Sequence, residues 1–353
     1  MIAGQTVALV MIVRDEEQRI RACLDAARPW IDSWTIVDTG SSDATMDIVR
    51  DSLRGVPGTL RSLPWVGFAT NRTQAFQAAR GTADWLLLMD ADMAVEVDDD
   101  FAPDPEVDAY MIRMGGEDYD WRLPLLVRGG LPWQSVGLPV SGRHAVTMLP
   151  DGTPGHTMAT DRLRVRRAES WTPERGRRLA ADLERDRAAH PDDPRVVFYL
   201  AQAYRDIGHP AALGLFMQRV GMGGNPDEVY ISAYRGALLL PDASQQLRAL
   251  LQAWELRPDR LEALHAAVRG LNAMGMHQSA YMLSCVEVGS APDALFTNPY
   301  VWAWGMALER SVAALATGRT GEGVALCMRL LDEPTLPDMV RQRVLENMDA
   351  ARA

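Results

Sequence analysis

Over its first hundred residues the chain alternates short apolar runs with stretches of helix-like polarity. Val7 to Val13 is an unbroken apolar run of the length of a buried strand. Gln18 to Ala27 follows with Ile20, Cys23, Leu24 and Ala27 at helical spacing. Trp34 to Val37 predicts a second strand. It runs into Asp38-Thr39-Gly40-Ser41-Ser42-Asp43, a turn-rich segment whose Ser or Asp can cap a helix over Thr45 to Leu53. A third strand is expected near Leu60 to Leu63, a helix over Phe68 to Ala79, a fourth strand over Trp85 to Met89, and another over Ala109 to Met114. This alternation predicts a mostly parallel sheet with helices on both faces. From Trp171 onward the pattern is helical only. Thr172-Pro173-Glu174 starts a charged helix that runs to Ala189, with Thr as cap and Pro at the first position.

The helical part is periodic. Val196 to Ile207 and Ala211 to Val220 read as one helix pair, and Arg257-Pro258-Asp259 precedes another that turns at Met274-Gly275-Met276. Pro191 and Pro258, each followed by Asp, stand 67 residues apart, close to two units of the ~34-residue tetratricopeptide (TPR) repeat. The fold class expected is α/β followed by all-α, divided into residues 1–168 and 169–353. Stacked pairs make a concave surface suited to a peptide or another subunit, or a helical cap that only stabilises its neighbour; both readings stay open.

Composition narrows the function classes. The chain has 353 residues, 47% of them hydrophobic and 24% charged, ample for two domains. A net charge of −11 argues against a broad nucleic-acid-binding face. All 36 basic residues are Arg, which reads as coding bias more than chemistry. Cys23, Cys285 and Cys327 follow no zinc or disulfide spacing, so a reducing, cytoplasmic compartment is expected. The apolar run at Val7 is too short to span a membrane and lacks a cleavage signature.

Candidate chemistry gathers at strand ends, where open α/β sheets bind ligands. Asp15 and Glu16 follow the first strand, Asp38 the second, and Asp90-Ala91-Asp92 the fourth. Residues i and i+2 of a strand share a side, so Asp90 and Asp92 can face one point, where a hard divalent cation offsets their repulsion. On that stretch alone, an acidic loop after a core strand is an equal reading. No G-x-x-x-x-G-K-[ST] loop and no G-x-G-x-x-G follows the first strand. A bound diphosphate would therefore depend on a metal more than on a backbone cradle.

Four segments, Val10 to Glu17, Ile36 to Thr45, Asn71-Arg72 with Ala78-Ala79-Arg80-Gly81, and Leu87 to Asp92, resemble family 2 glycosyltransferases of the GT-A fold. They occur in the family's order over roughly the first hundred residues. The chain looks most similar to the bacterial subgroup with a TPR-like helical tail, which includes glycosyltransferases of peptide and protein acceptors. The resemblance implies a GT-A (Rossmann-like) nucleotide-sugar-binding domain, a UDP-sugar as the favoured donor, and Mn²⁺ or Mg²⁺. It implies that Val13, Arg14 and Glu16 lie near the nucleoside and that Asp38 contacts the base. Arg72 approaches base or phosphates, Asp90 and Ala91 support the ribose or metal, and Asp92 coordinates the metal. The reaction implied is inverting displacement by a peptide, protein or glycan acceptor, with homo-oligomers left open.

The chain also departs from the family pattern. Relatives often carry His-Glu shortly after a Trp-x-x-x-Gly segment; here Trp133-Gln134-Ser135-Val136-Gly137 leads into Leu138-Pro139-Val140-Ser141. If that Glu is the family's general base, another group must serve. Asp120, preferred, and Glu117 are the available carboxylates, with Asp118 beside them; a solvated acidic loop is the competing reading. His156, in a turn-rich loop, resembles the late His that GT-A enzymes often use as a further metal ligand, with a loop His without a role as an equal reading. Arg162, Arg164, Arg166 and Arg167 read as a solvated basic strand or helix start, or as counter-charges for phosphate. Tyr300-Val301-Trp302-Ala303-Trp304 reads as core packing between late helices, with an acceptor platform as the alternative. The other function class left open is a degenerate GT-A protein that binds a nucleotide or partner without turnover.

Overall fold

The computed structural model describes residues 1–114, 122–167, 172–289, 294–334 and 336–350. Contacts divide the chain into two compact units, the first ending at Pro191 and the second beginning at Asp192.

The first unit is built on β1 (Val7–Val13), β2 (Ser33–Asp38), β3 (Gly58–Ser62), β4 (Trp85–Leu88), β5 (Met93–Val97), β6 (Ala109–Arg113), β7 (Arg122–Arg128) and a later strand described below. β1, β2 and β4 are buried along almost their whole length, as their apolar runs require. β1 pairs in parallel with β2 on one side and with β4 on the other, and β2 pairs in parallel with β3. Between them run α1 (Ile20–Ala27), α2 (Thr45–Ser52) and α3 (Phe68–Ala79). α3 packs on β1 and β2, while α1 packs on α2 and β5.

The rest of the sheet departs from the mostly parallel expectation. After the short pair β8 (Gln134–Val136) and β9 (Val146–Met148), the chain enters β10 (Thr157–Arg167). The sheet order is β3-β2-β1-β4-β7-β6-β10-β5. β7 lies antiparallel to β4 and β6, and β10 lies antiparallel to β5. The chain order reverses at β1, which has β2 on one side and β4 on the other. Such a switch point opens a crevice at the carboxyl ends of these strands.

α4 (Pro173–Ala189) belongs to this first unit, although its helix-start signal suggested the opening of the helical tail. Asp186 is fully buried and accepts bonds from the backbone N–H of Val140 (2.7 Å) and Ser141 (2.9 Å). Asp182 takes the Arg143 guanidinium at 2.7 Å.

The second unit is all-helical. α5 (Pro194–Asp206), α6 (Ala212–Met222), α7 (Pro226–Leu238), α8 (Ala243–Leu256), α9 (Glu262–Ala273) and α10 (His277–Ser284) pack each on the next. α5, α7 and α9 begin at residues 194, 226 and 262, near the ~34-residue period. Asp193 and Asn225 cap the two helices that begin with Pro, accepting bonds from the first free amides. A π-helical turn, Val301–Gly305, leads into α11 (Met306–Ala316), followed by α12 (Thr320–Leu331) and α13 (Asp338–Ala350). Tyr300 and Trp302 pack against one apolar cluster of this unit and Trp304 against another. Val301 is core, while the three aromatic rings are half-buried at the margins of these clusters, in keeping with the packing reading.

Candidate active site at the strand ends

The loops after β1 and β2 are braced against each other by short polar side chains. Asp38, 2% exposed, accepts from the amides of Gly40 (3.1 Å) and Ser41 (3.2 Å), an Asx-type turn. Asp15 sits at φ 51°, in the left-handed region that Asp tolerates, and accepts from the Ser42 amide at 2.7 Å. Thr45 accepts the Glu16 amide at 2.7 Å, and the Glu16 carboxylate pairs with Arg19 at 3.1 Å. Arg14 is exposed and approaches Asp15, while Val13 is buried and its carbonyl accepts from Thr39. The bracing leaves lone pairs on Asp38, since a carboxylate offers about four acceptor positions.

The third edge of the crevice is the turn after β4. Met89, Ala91 and Met93 are buried, and the Met93 amide bonds to the Asp90 carbonyl at 3.0 Å. The Cys23 thiol donates to the same carbonyl at 3.3 Å from beneath. Burial, then the negative charge of Asp90, pushes that thiol up to about 12. Arg72, on α3 and stacked 4.4 Å over the Phe68 ring, pairs with one oxygen of Asp90. Arg167 reaches the other oxygen at 2.8 Å. Burial alone would raise the Asp90 carboxyl; the Arg72 charge, followed by that of Arg167, holds it below the usual range. Asp92, 7% exposed, has Arg175 at 3.5 Å from Oδ2 and Arg167 at 4.0 Å from Oδ1. Its Oδ1 is buried without a hydrogen-bond partner.

Arg175 was not singled out from the sequence, and Arg167 was named only among four arginines read as a solvated basic run or as counter-charges for phosphate, although a signal that separates it from the other three is present. In β10, Arg162, Arg164 and Arg166 pair with Asp100 (2.6 Å), Asp98 (2.5 Å) and Glu96 (3.1 Å) beside the neighbouring strand. The intervening Leu163 and Val165 are buried. Strand alternation therefore puts Arg167 on the apolar side, and its register opposite Met93 delivers it to the Asp90–Asp92 turn. Arg175 is set by the α4 cap, where the Thr172 hydroxyl accepts the Arg175 amide at 3.2 Å.

His156 is not brought to this cluster. It precedes β10, whose far end carries Arg167; at ~3.3 Å per residue the strand puts them on the order of 30 Å apart. Its Nδ1 faces the Glu106 carbonyl at 2.7 Å. Asp120 and Glu117 lie outside the described residues. Among the described residues no group of three or more His, Cys, Asp or Glu is arranged to hold a metal ion. The orphaned Asp92 oxygen nonetheless fits a cation held by one or two carboxylates and completed by substrate phosphates and water, as Mg²⁺ is commonly bound.

Residues 8–103 match the family model of glycosyl transferase family 2. The first unit thus carries a family 2 domain, and the matched segment holds Glu16, Asp38, Arg72, Asp90 and Asp92. Arg167 and Arg175 lie beyond it. A TPR repeat-containing protein of Synechococcus elongatus is 38% identical over 87 residues, 24% of this chain. The chain spans about a fifth (20%) of that protein's length. S. aureus TarS 1–349, solved with UDP-GlcNAc, overlaps 90% of this chain and 92% of its own at 13% identity and a TM-score of 0.31. The glucosyl-3-phosphoglycerate synthase of Mycobacterium tuberculosis, solved with phosphoglyceric acid, overlaps 32% of this chain and 46% of its own at 19% identity and a TM-score of 0.25. No chemistry follows from overlaps of that extent. Among the described residues no helix is long and apolar enough to cross a membrane.

Proposed function

We propose that this chain transfers a sugar from a nucleotide-diphosphate donor, with UDP-sugars favoured by the family resemblance, to a peptide, protein or glycan acceptor. One observation carries the reading. Within the family 2 segment, the ends of β1, β2 and β4 bring Glu16, Asp38 and the Arg72-clamped Asp90 to one crevice, with a buried unsatisfied oxygen of Asp92 beside them. Asp38 accepts from the base edge, since its anchored carboxylate retains acceptor positions. Asp90, fixed by Arg72, accepts a ribose hydroxyl. Asp92 Oδ1, with Asp90 nearby, would hold Mn²⁺ or Mg²⁺, which when bound supplies Lewis-acid stabilisation of the leaving diphosphate. The acceptor attacks the anomeric carbon with inversion, and Asp120, with Glu117 as its alternate, takes the acceptor's proton. The TPR-like unit offers a surface for the acceptor or for a second copy of the chain.

A second reading, a nucleotide- or partner-binding protein without turnover, is favoured by one feature. Where relatives carry His-Glu, Val140 and Ser141 give their amides to the buried Asp186. Titration calorimetry of UDP, GDP and dTDP, each with and without Mn²⁺, tests the donor site in wild type and Asp92→Ala. Metal-enhanced binding of one nucleotide, lost in the variant, is expected. Absence of binding by all three removes the donor-site reading. A screen of sugars and acceptors then separates turnover from binding alone.

A further inference from the structure

Three guanidiniums, those of Arg72, Arg167 and Arg175, converge on the two carboxylates of Asp90 and Asp92. A bare divalent cation approaching Asp92 meets a guanidinium within 4.0 Å of each oxygen it needs, and among the described residues no third acidic ligand joins. A diphosphate meets the opposite situation, because guanidiniums bind phosphate oxygens in a bidentate, charge-assisted way.

The three arginines differ in freedom. The Arg72 side chain is 17% exposed and stacked on Phe68, so it is fixed. The side chains of Arg167 and Arg175 are 38% and 48% exposed. They lie at the end of a strand and in the first turn of a helix, outside the family 2 segment. We infer that Arg167 and Arg175 form an electrostatic interlock, guarding Asp92 against a lone cation and releasing it when a nucleoside diphosphate draws their charge. Cation and diphosphate then bind cooperatively, and each binds weakly alone. By reciprocity, the factor by which UDP tightens Mn²⁺ equals the factor by which Mn²⁺ tightens UDP. The inference rests on the donor-site reading above.

The test is a titration set on the full chain: MnCl₂ alone, UDP in EDTA, UDP at saturating Mn²⁺, and uridine in EDTA. Wild type is compared with Arg167→Gln/Arg175→Gln and with Arg167→Lys/Arg175→Lys. The Gln pair is expected to shift two constants in opposite directions. Mn²⁺ alone binds about tenfold more tightly, because Asp92 is unguarded, and UDP in EDTA binds about tenfold more weakly; each factor corresponds to ~1.4 kcal/mol. The two opposite shifts cancel in the thermodynamic cycle, so the coupling factor falls by whatever the ternary complex loses with the two guanidiniums. Uridine, which lacks phosphates, binds all three proteins alike and reports an intact nucleoside pocket. The Lys pair keeps both charges and stays near wild type. Uridine binding with Mn²⁺ and UDP constants unchanged in the Gln pair overturns the interlock and leaves the donor site standing. Wild type that binds neither uridine nor UDP overturns the donor-site reading together with it.

Discussion

Asp186→Ala gives a sharp test of how the loop after β8 is held. Asp186 Oδ1 accepts two backbone amides, from Val140 at 2.7 Å and Ser141 at 2.9 Å, and the residue has no solvent exposure. A hydrogen bond to a charged acceptor is worth about 1.5–3 kcal/mol net. Both amides are part-buried, and removing the carboxylate also removes its own desolvation cost. These opposing terms leave a loss of roughly 2–3 kcal/mol in the local stability of this loop. Asp186→Asn keeps a neutral acceptor in place and should lose about half as much, since charge-assisted bonds are roughly twice as strong as neutral ones. Amide hydrogen exchange reads the loop directly, without the two-state assumption that a two-unit chain violates. Exchange at Val140 and Ser141 is expected to accelerate roughly 30- to 140-fold in Asp186→Ala, at a factor of ten per ~1.4 kcal/mol. Amides of β2 and of α11 serve as internal references and should not move. Unchanged exchange at Val140 and Ser141 would refute the anchoring role and with it the reason given for α4 belonging to the first unit.

Two further outcomes follow from buried titratable groups. His265, on α9, is 4% exposed, and burial followed by the Arg269 charge pushes it down to about 4 from 6.5. Its stabilising contribution is full above 6.5 and is lost as pH falls toward about 4, because the unfolded chain takes the proton first. The loss amounts to about 3 kcal/mol at 1.36 kcal/mol per pKa unit. Urea unfolding of the helical unit between pH 4 and 7.5 should show a steeper decline in wild type than in His265→Gln, and parallel curves would contradict the assignment. Cys23, with its thiol buried under the Asp90 carbonyl, should resist iodoacetamide at pH 8 in the folded protein while the more exposed Cys285 is labelled. Equal labelling rates, read by peptide mass spectrometry, would contradict that placement.

The parallel half of the sheet was legible because each of its elements carries its own pattern. β1 and β4 are continuous apolar runs, β2 is a short β-prone run around Trp34, Ile36 and Val37, and the helix expected over Phe68 to Ala79 is found with those bounds. The carboxylates at their ends followed from strand direction alone. Of the antiparallel half only β6, expected over Ala109 to Met114, was legible, because the other strands gain their meaning from partners far off in sequence. β5 is five residues long and pairs with β10, whose Arg-rich face is neutralised by Glu96, Asp98 and Asp100 some seventy residues earlier. Read alone, that run is a solvated basic stretch or an undivided set of counter-charges for phosphate. Only the pairing register turns its last residue into a site residue.

α4 makes the same point in the opposite direction. Its cap, Thr172 followed by Pro173, is a local signal and was readable, but which body the helix joins is decided by contacts the local pattern does not encode. Asp182 and Asp186 take Arg143 and the amides of Val140 and Ser141, and Arg175 faces Asp92. A buried carboxylate without such partners would be costly, so these contacts fix the helix to the first unit. The consequence is chemical as well as architectural. The crevice takes its nucleotide-facing acids from the family 2 segment and its extra cations from β10 and α4. A truncation that ends the domain at the last residue of the matched segment would therefore keep Asp90 and Asp92 while removing two of the three guanidiniums that balance them.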